Sequence, residues 1–212
     1  VYLILILACM GAKPAAADVG TAAGGTLLQP LSARPAALGE AYAGEGGSIE
    51  SLGYNPAGLS TVDQAEFSAM YHAGFAGDTF VSALLGAPFR GFGIAVGAAF
   101  YSAGTVERLD PTGGISEVSA QRDLLGQAGV GYRFPRTALS VGASAKALRT
   151  ELIEEISSTE IAADAGARLE VPAVGLALGA AAQHLGGRLK LEEDSAALPS
   201  LLRFGLAYQV HI

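Results

Sequence analysis

The stretch Thr159-Glu160-Ile161-Ala162-Ala163-Asp164-Ala165-Gly166-Ala167-Arg168-Leu169-Glu170 divides at period two. One set reads Thr159, Ile161, Ala163, Ala165, Ala167, Leu169; the other reads Glu160, Ala162, Asp164, Gly166, Arg168, Glu170. Successive side chains of a strand point to opposite faces, so the pattern is that of a strand with one apolar face and one face of small and charged residues. The same division recurs along the chain. Phe92, Ile94, Val96, Ala98 and Phe100 oppose Gly93, Ala95, Gly97 and Ala99, and Ala128, Val130, Tyr132 and Phe134 oppose Gln127, Gly129, Gly131 and Arg133. Leu139, Val141, Ala143 and Ala145 oppose Ser140, Gly142, Ser144 and Lys146. The alternation predicts eight strands, near 65–72, 79–87, 91–103, 120–134, 138–149, 159–170, 174–185 and 201–212.

Composition narrows what such strands can build. The 212 residues include 29 glycines and 41 alanines, and only 16% are charged, against about 25% in ordinary soluble domains. The longest uninterrupted apolar run is the first dozen residues, closed by Lys13, whereas a spanning helix needs about 20. A charge-poor β-chain of this kind is either a membrane β-barrel or an Ala/Gly-rich soluble β-protein. A net charge of −7 argues against nucleic acid as a partner.

The connections favour the membrane alternative. Pro88-Phe89-Arg90, Pro135-Arg136-Thr137 and Val171-Pro172-Ala173 are short turns, while Gly104 to Ser119, Thr150 to Ser158 and Gly186 to Ser200 are longer and more polar. Outer-membrane barrels have short turns at one rim and long loops at the other. Strands of about 9–11 residues cross a bilayer, whereas globular strands average about 5–6. Phe92 and Phe100 stand eight residues apart on one face, which at about 40° tilt is roughly 20 Å of height, near the spacing of two aromatic girdles. A soluble sandwich would instead show water an outer face of Gly, Ala and Ser with few charges, a poor design for solubility.

Ahead of the strands, residues 1–17 read as an export signal: the apolar Val1 to Gly11, then Lys13, Pro14 and the small run Ala15-Ala16-Ala17 before Asp18. Cys9, the only cysteine, leaves a lipoprotein reading open, and the mature chain would then hold no disulfide framework. Residues 18–60 form a second segment, in which Ser48 can cap a helical turn and Gly53-Tyr54-Asn55-Pro56-Ala57-Gly58-Leu59 is a dense turn with Gly58 free for positive φ. Residues 61–212 carry the strands. No G-x-S-x-G, H-E-x-x-H or C-x-x-C is present, and His72, His184 and His211 lack metal-ligand spacing. The reading is therefore of a protein without catalytic residues, metal or cofactor. The acidic groups Glu151, Glu154, Glu155 and Glu192, Glu193, Asp194 read as solvated loop surface.

Ala33-Arg34-Pro35-Ala36-Ala37-Leu38-Gly39-Glu40-Ala41-Tyr42-Ala43-Gly44, followed by Leu52-Gly53-Tyr54-Asn55-Pro56-Ala57-Gly58-Leu59, resembles the N-terminal signature of the PorV/PorQ family of outer-membrane proteins. That family is related to the FadL fatty-acid transporters. Further matches follow in family order at Gly142 to Leu148, Asp164 to Ala167, Ala182 to Gly186 and Leu198 to Tyr208. Glu40 stands where the family usually has glycine, Tyr54 where it often has tryptophan and His184 where asparagine is usual.

The resemblance implies an all-β, FadL-like transmembrane barrel whose N-terminal segment folds into the lumen as a hatch. Arg34, Leu38, Gly39, Ala41, Tyr42, Asn55, Pro56, Ala57 and Gly58 would be the hatch motif. Arg133, Lys146, Glu160, Asp164, Arg168 and Arg203 would face the lumen, where their mixed signs allow pairing across strands. The implied location is the outer membrane, with lipid as a partner. Hydrophobic small molecules, or secreted cargo and a type IX translocon, would be the other partners. An eight-stranded barrel is filled by its own side chains and leaves no room for about 40 residues of hatch, so the chain is expected to hold an incomplete barrel. The alternatives are a soluble periplasmic β-protein and a complete small eight-stranded barrel.

Overall fold

The computed structural model describes residues 24–75, 77–109, 114–153, 156–191 and 194–208. The proposed export signal lies outside them, as do Glu154, Glu155, Glu192, Glu193 and His211.

One antiparallel sheet dominates. Its strands are β1 (Glu66–Ala73), β2 (Thr79–Phe89), β3 (Phe92–Ser102), β6 (Gln121–Arg133), β7 (Leu139–Leu152), β8 (Ile156–Val171), β9 (Leu176–Gly186) and β12 (Leu201–Tyr208), each paired with the next. These stand where the alternation places them, to within a few residues at their ends. Two hairpins, β4 (Thr105–Leu109) with β5 (Ile115–Ser119) and β10 (Arg188–Leu191) with β11 (Asp194–Ala197), rise from one rim. Among the described residues β1 and β12 are not paired with each other, so the sheet has two edges and the closed eight-stranded alternative does not hold.

Three expectations need correction. The connections 104–119 and 186–200 are hairpins rather than loops, because their own alternation continues the pairing beyond the main sheet. The connection 150–158 is mostly strand: Leu152 pairs with Ile156, and Ile153 takes φ 52°. Gly58 does not adopt positive φ. Its small size is required for a different reason: a Cβ there would come within 2.5 Å of Ser51 Oγ and 2.7 Å of the Glu45 carbonyl oxygen.

Burial separates the two faces. Outward-facing side chains include Phe67, Tyr71, Val81, Leu85, Phe89, Phe92, Ile94, Val96, Phe100, Leu124, Val130, Phe134, Leu178, Phe204, Leu206 and Tyr208, all substantially exposed. On β6 this charge-free run extends ten residue steps from Leu124 to Phe134, which at about 3.3 Å per residue and about 40° tilt is roughly 25 Å of height. Exposed Arg122 and Arg149 mark its far end, where Arg149 pairs in register with Leu124. At the near end Phe92, Tyr132 and Phe134 stack in sequence, with ring centroids 4.9 and 5.3 Å apart. There β2 and β3 are joined by Arg90-Gly91, both at positive φ, the two-residue turn that suits the twist of a hairpin.

The inner face is covered by residues 24–62. This segment is a chain of short turns: Gly25–Leu28, Ala33–Ala37, Ile49–Gly53 and Pro56–Thr61. Ser48 caps the third by accepting from the Glu50 N–H at 3.3 Å, and Asn55 caps the fourth by accepting from Ala57 N–H at 3.1 Å. Leu27, Leu31, Ile49, Leu52 and Leu59 from the segment bury against Phe80, Leu84, Ala95, Ala99, Leu125 and Leu148 of the wall. The core is thus formed between one N-terminal segment and one sheet face.

Candidate functional site

The interface between segment and wall is built on glycine. Gly93, Gly131, Gly142 and Gly166 are register partners across β3, β6, β7 and β8, and Gly179 pairs with Gly205 across β9 and β12. A Cβ on Gly93 would meet the Leu59 carbonyl oxygen at 1.7 Å, one on Gly142 the Pro56 carbonyl carbon at 2.2 Å, and one on Gly179 the Ala43 carbonyl oxygen at 1.8 Å. Gly166 faces Asn55 Oδ1 at 2.0 Å and Gly205 faces the Gly44 nitrogen at 2.6 Å by the same measure. The row is a groove one methyl group deep, and the backbone of residues 43–44 and 55–60 lies in it. Only glycine permits backbone to approach backbone this closely.

Asn55 fastens the segment. Its Nδ2 donates to the Ala43 carbonyl at 2.7 Å and to the Ala167 carbonyl of β8 at 3.1 Å, while Oδ1 caps the following turn. Pro56 sets the extended conformation of Asn55, at φ −149° and ψ 100°, that lets one side chain do all three. Pro56, Ala57 and Gly58 are buried with it. Of the other motif residues, Tyr42 is fully buried, its hydroxyl donating to Glu50 Oε2 at 3.1 Å and its ring 5.6 Å from that of Tyr54. Burial, then the Glu50 carboxylate, pushes the Tyr42 pKa up to about 12, and burial raises that of Tyr54 as well. Arg34 lays its guanidinium over the Tyr42 ring at 5.7 Å. Leu38 and Ala41 are exposed, and Gly39 turns the chain at φ 60°.

The charged residues of the inner face form two groups. Lys146 Nζ lies 2.7 Å from Asp164 Oδ2, with both side chains buried. Asp164 also accepts from Ser144 Oγ at 2.9 Å and from the His184 N–H at 2.8 Å, and Lys146 Nζ is 3.4 Å from His184 Nδ1. Nearer the short turns, Glu170 Oε2 receives Arg133 and Arg168, each at 3.3 Å, and Arg168 Nε donates to the Gly44 carbonyl at 3.0 Å. Arg203 joins wall to segment: it is 3.0 Å from Glu40 Oε2, donates to Gln183 Oε1 at 2.6 Å, and lies over the Tyr54 ring at 5.2 Å. Gln183 Nε2 then donates to the Gly53 carbonyl at 2.8 Å. Glu160 stands apart from both groups, half-buried and accepting from Ser158 Oγ at 3.1 Å.

A cavity of about 590 Å³ opens at the short-turn rim, between Arg34, Glu45 and Thr61 of the segment and Arg168, Glu170 and Tyr208 of the wall. Among the described residues no three His, Cys, Asp or Glu side chains gather as metal ligands. Nor does any described helix reach the length and apolarity of a membrane span.

No protein-family model matches the sequence, and no curated protein does. Among solved structures, the chain is similar to outer-membrane expressed OmpT of Vibrio cholerae, at 13% identity and a TM-score of 0.46. The match covers 71% of this chain, which spans about half, 47%, of that one.

Glu40 and His184 occupy special backbone positions. Glu40 has φ 62° and His184 has φ 56°, a region costing a residue with a Cβ roughly 1–2 kcal/mol. Glycine and asparagine are the residues that tolerate it best. At His184 the cause is a β-bulge: pairing between β8 and β9 shifts between Ala163 and Ala165, so Gln183 and His184 together oppose Asp164. Both then point inward and are buried. Strict alternation gave only one of them an inward place, and no residue type in Ala182-Gln183-His184-Leu185 marks where the extra residue enters. His72 remains exposed on β1.

Proposed function

We propose that the chain forms part of the wall and the hatch of an outer-membrane β-barrel that passes small hydrophobic molecules. The observation that carries the membrane half is the outward band, roughly 25 Å tall, free of charge and edged by aromatic rings, which matches the lipid-facing surface of such barrels. A soluble protein with this face would expose well over a dozen large apolar side chains to water. In lipid the edges of β1 and β12 must find strand partners, since unpaired backbone there costs several kcal/mol per group. The transport half rests on the sequence resemblance to FadL-related proteins, and the packing of the N-terminal segment against the inner face supports reading it as a hatch.

Extraction decides the first half: the protein should leave cell envelopes only with detergent and run as a heat-modifiable band. Release by osmotic shock without detergent overturns it. Uptake of a labelled fatty acid into proteoliposomes tests the second. Uptake equal to that of empty liposomes, together with co-purification of secreted cargo, would replace transport by a role in secretion.

A further inference from the structure

Among the described residues, the wall holds a buried amide without a protein partner. Gln127, on the inner face of β6, is 7% exposed, and neither its Nε2 nor its Oε1 makes a hydrogen bond. The Tyr54 hydroxyl, opposite it on the N-terminal segment, is also buried and unpaired. Both side chains line a narrow cavity with Lys146, Arg203 and Glu40, walled by Leu27, Leu31 and Leu125 and edged by the exposed Leu28 and Gln29. Unpaired buried polar groups are rare in folded proteins, and ordered water is their usual partner.

Size and charge select the occupant. The cavity volume is about 10 Å³, close to the least that holds one water. Its two cations are already balanced, Lys146 by Asp164 at 2.7 Å and Arg203 by Glu40 at 3.0 Å. Gln127 offers both amide N–H donors and a carbonyl acceptor, Tyr54 can do either, and Lys146 can only donate. An anion would leave Gln127 Oε1 unmet, and a cation would face the Lys146 ammonium. We infer that a single water is a resident ligand here, held by Gln127, Tyr54 and Lys146. The inference does not depend on the transport reading.

A crystal structure of the purified protein, with a parallel bromide soak, tests the site. The expected result is solvent density within hydrogen-bond reach of Gln127 and Tyr54 with no anomalous signal. A bromide peak there, or empty density with Gln127 turned onto a protein group, overturns the inference. Amide exchange gives a second measurement. Tyr54→Phe keeps the ring beneath Arg203 and deletes only the hydroxyl, so loss of the water bridge should speed exchange at residues 53–55 on the order of tenfold. Unchanged or slower exchange would mean that the hydroxyl had no partner to lose.

Discussion

Lys146 and Asp164 meet at 2.7 Å on adjacent strands with both side chains out of contact with solvent. Such a pair is held by its own geometry and by the groups that satisfy its remaining atoms, here Ser144 and the His184 N–H. Removing one partner strands the other. Lys146→Met or Asp164→Leu alone should destabilise by about 3–5 kcal/mol, and the double substitution should recover most of the loss. Urea unfolding of the three variants in one detergent measures it; additive single effects would show that the pair does not act as a unit.

Gly142 and Gly126 provide a matched comparison on neighbouring strands. A Cβ on Gly142 would lie 2.2 Å from Pro56, whereas one on Gly126 meets nothing within 4 Å. Gly142→Ala should therefore displace the N-terminal segment, costing about 1–3 kcal/mol and exposing the buried Tyr42 to limited chymotrypsin cleavage, while Gly126→Ala leaves both unchanged. Equal protease resistance in the two variants would refute the close packing.

Glu40 sets backbone strain against a half-buried ion pair. Glu40→Gly relieves φ 62° but loses Arg203. Relief is worth about 1 kcal/mol, and a solvent-screened pair about 0–1 kcal/mol. Glu40→Gly should be neutral or slightly stabilising, and Glu40→Gln, which keeps the strain without the charge, should be the less stable of the two in thermal unfolding.

Tyr42 supplies a pH dependence. Its pKa is raised from 10.0 to about 12 by burial and by Glu50. A raised folded pKa means that the stability is fully present below pH 10 and is lost as pH climbs towards 12. Absorbance of tyrosinate at high pH should show late-ionising tyrosines, Tyr54 among them, and Tyr42→Phe should remove one tyrosine's share of that component. A single transition near 10 in both proteins would contradict the buried, neutral hydroxyl.

Depth along the outer face separates lipid from water. Val96→Arg, in the middle of the band, should cost about 2–4 kcal/mol in vesicles, and Ser102→Arg, level with Arg122, about 0–1 kcal/mol. Equal tolerance of both changes would favour a solvent-facing wall.

Much of this was legible in the sequence, for reasons that differ by element. The eight strands are readable because period two runs unbroken through Phe92–Phe100 and Thr159–Glu170. The inward place of Lys146, Asp164, Arg168 and Arg203 follows from the same phase. Their partners do not: Arg203 with Glu40 and Asn55 with Ala167 join residues more than a hundred positions apart, and nothing local encodes those distances. The inward place of His184 was hidden by a bulge that leaves no compositional mark. Gly58 was misread because a turn-rich neighbourhood offers positive φ as the ready explanation, when Ser51 crowds it instead.

The glycine row also decides what evolution and engineering can change. Where the wall meets main-chain atoms it is indifferent to the side chain carried there, so the half-buried Ser60 should accept replacement more readily than Gly142 or Gly179. The usual expectation is inverted. The residues with no side chain are the least replaceable, and a segment of altered sequence, even a grafted one, should still seat itself provided it can trace the same path.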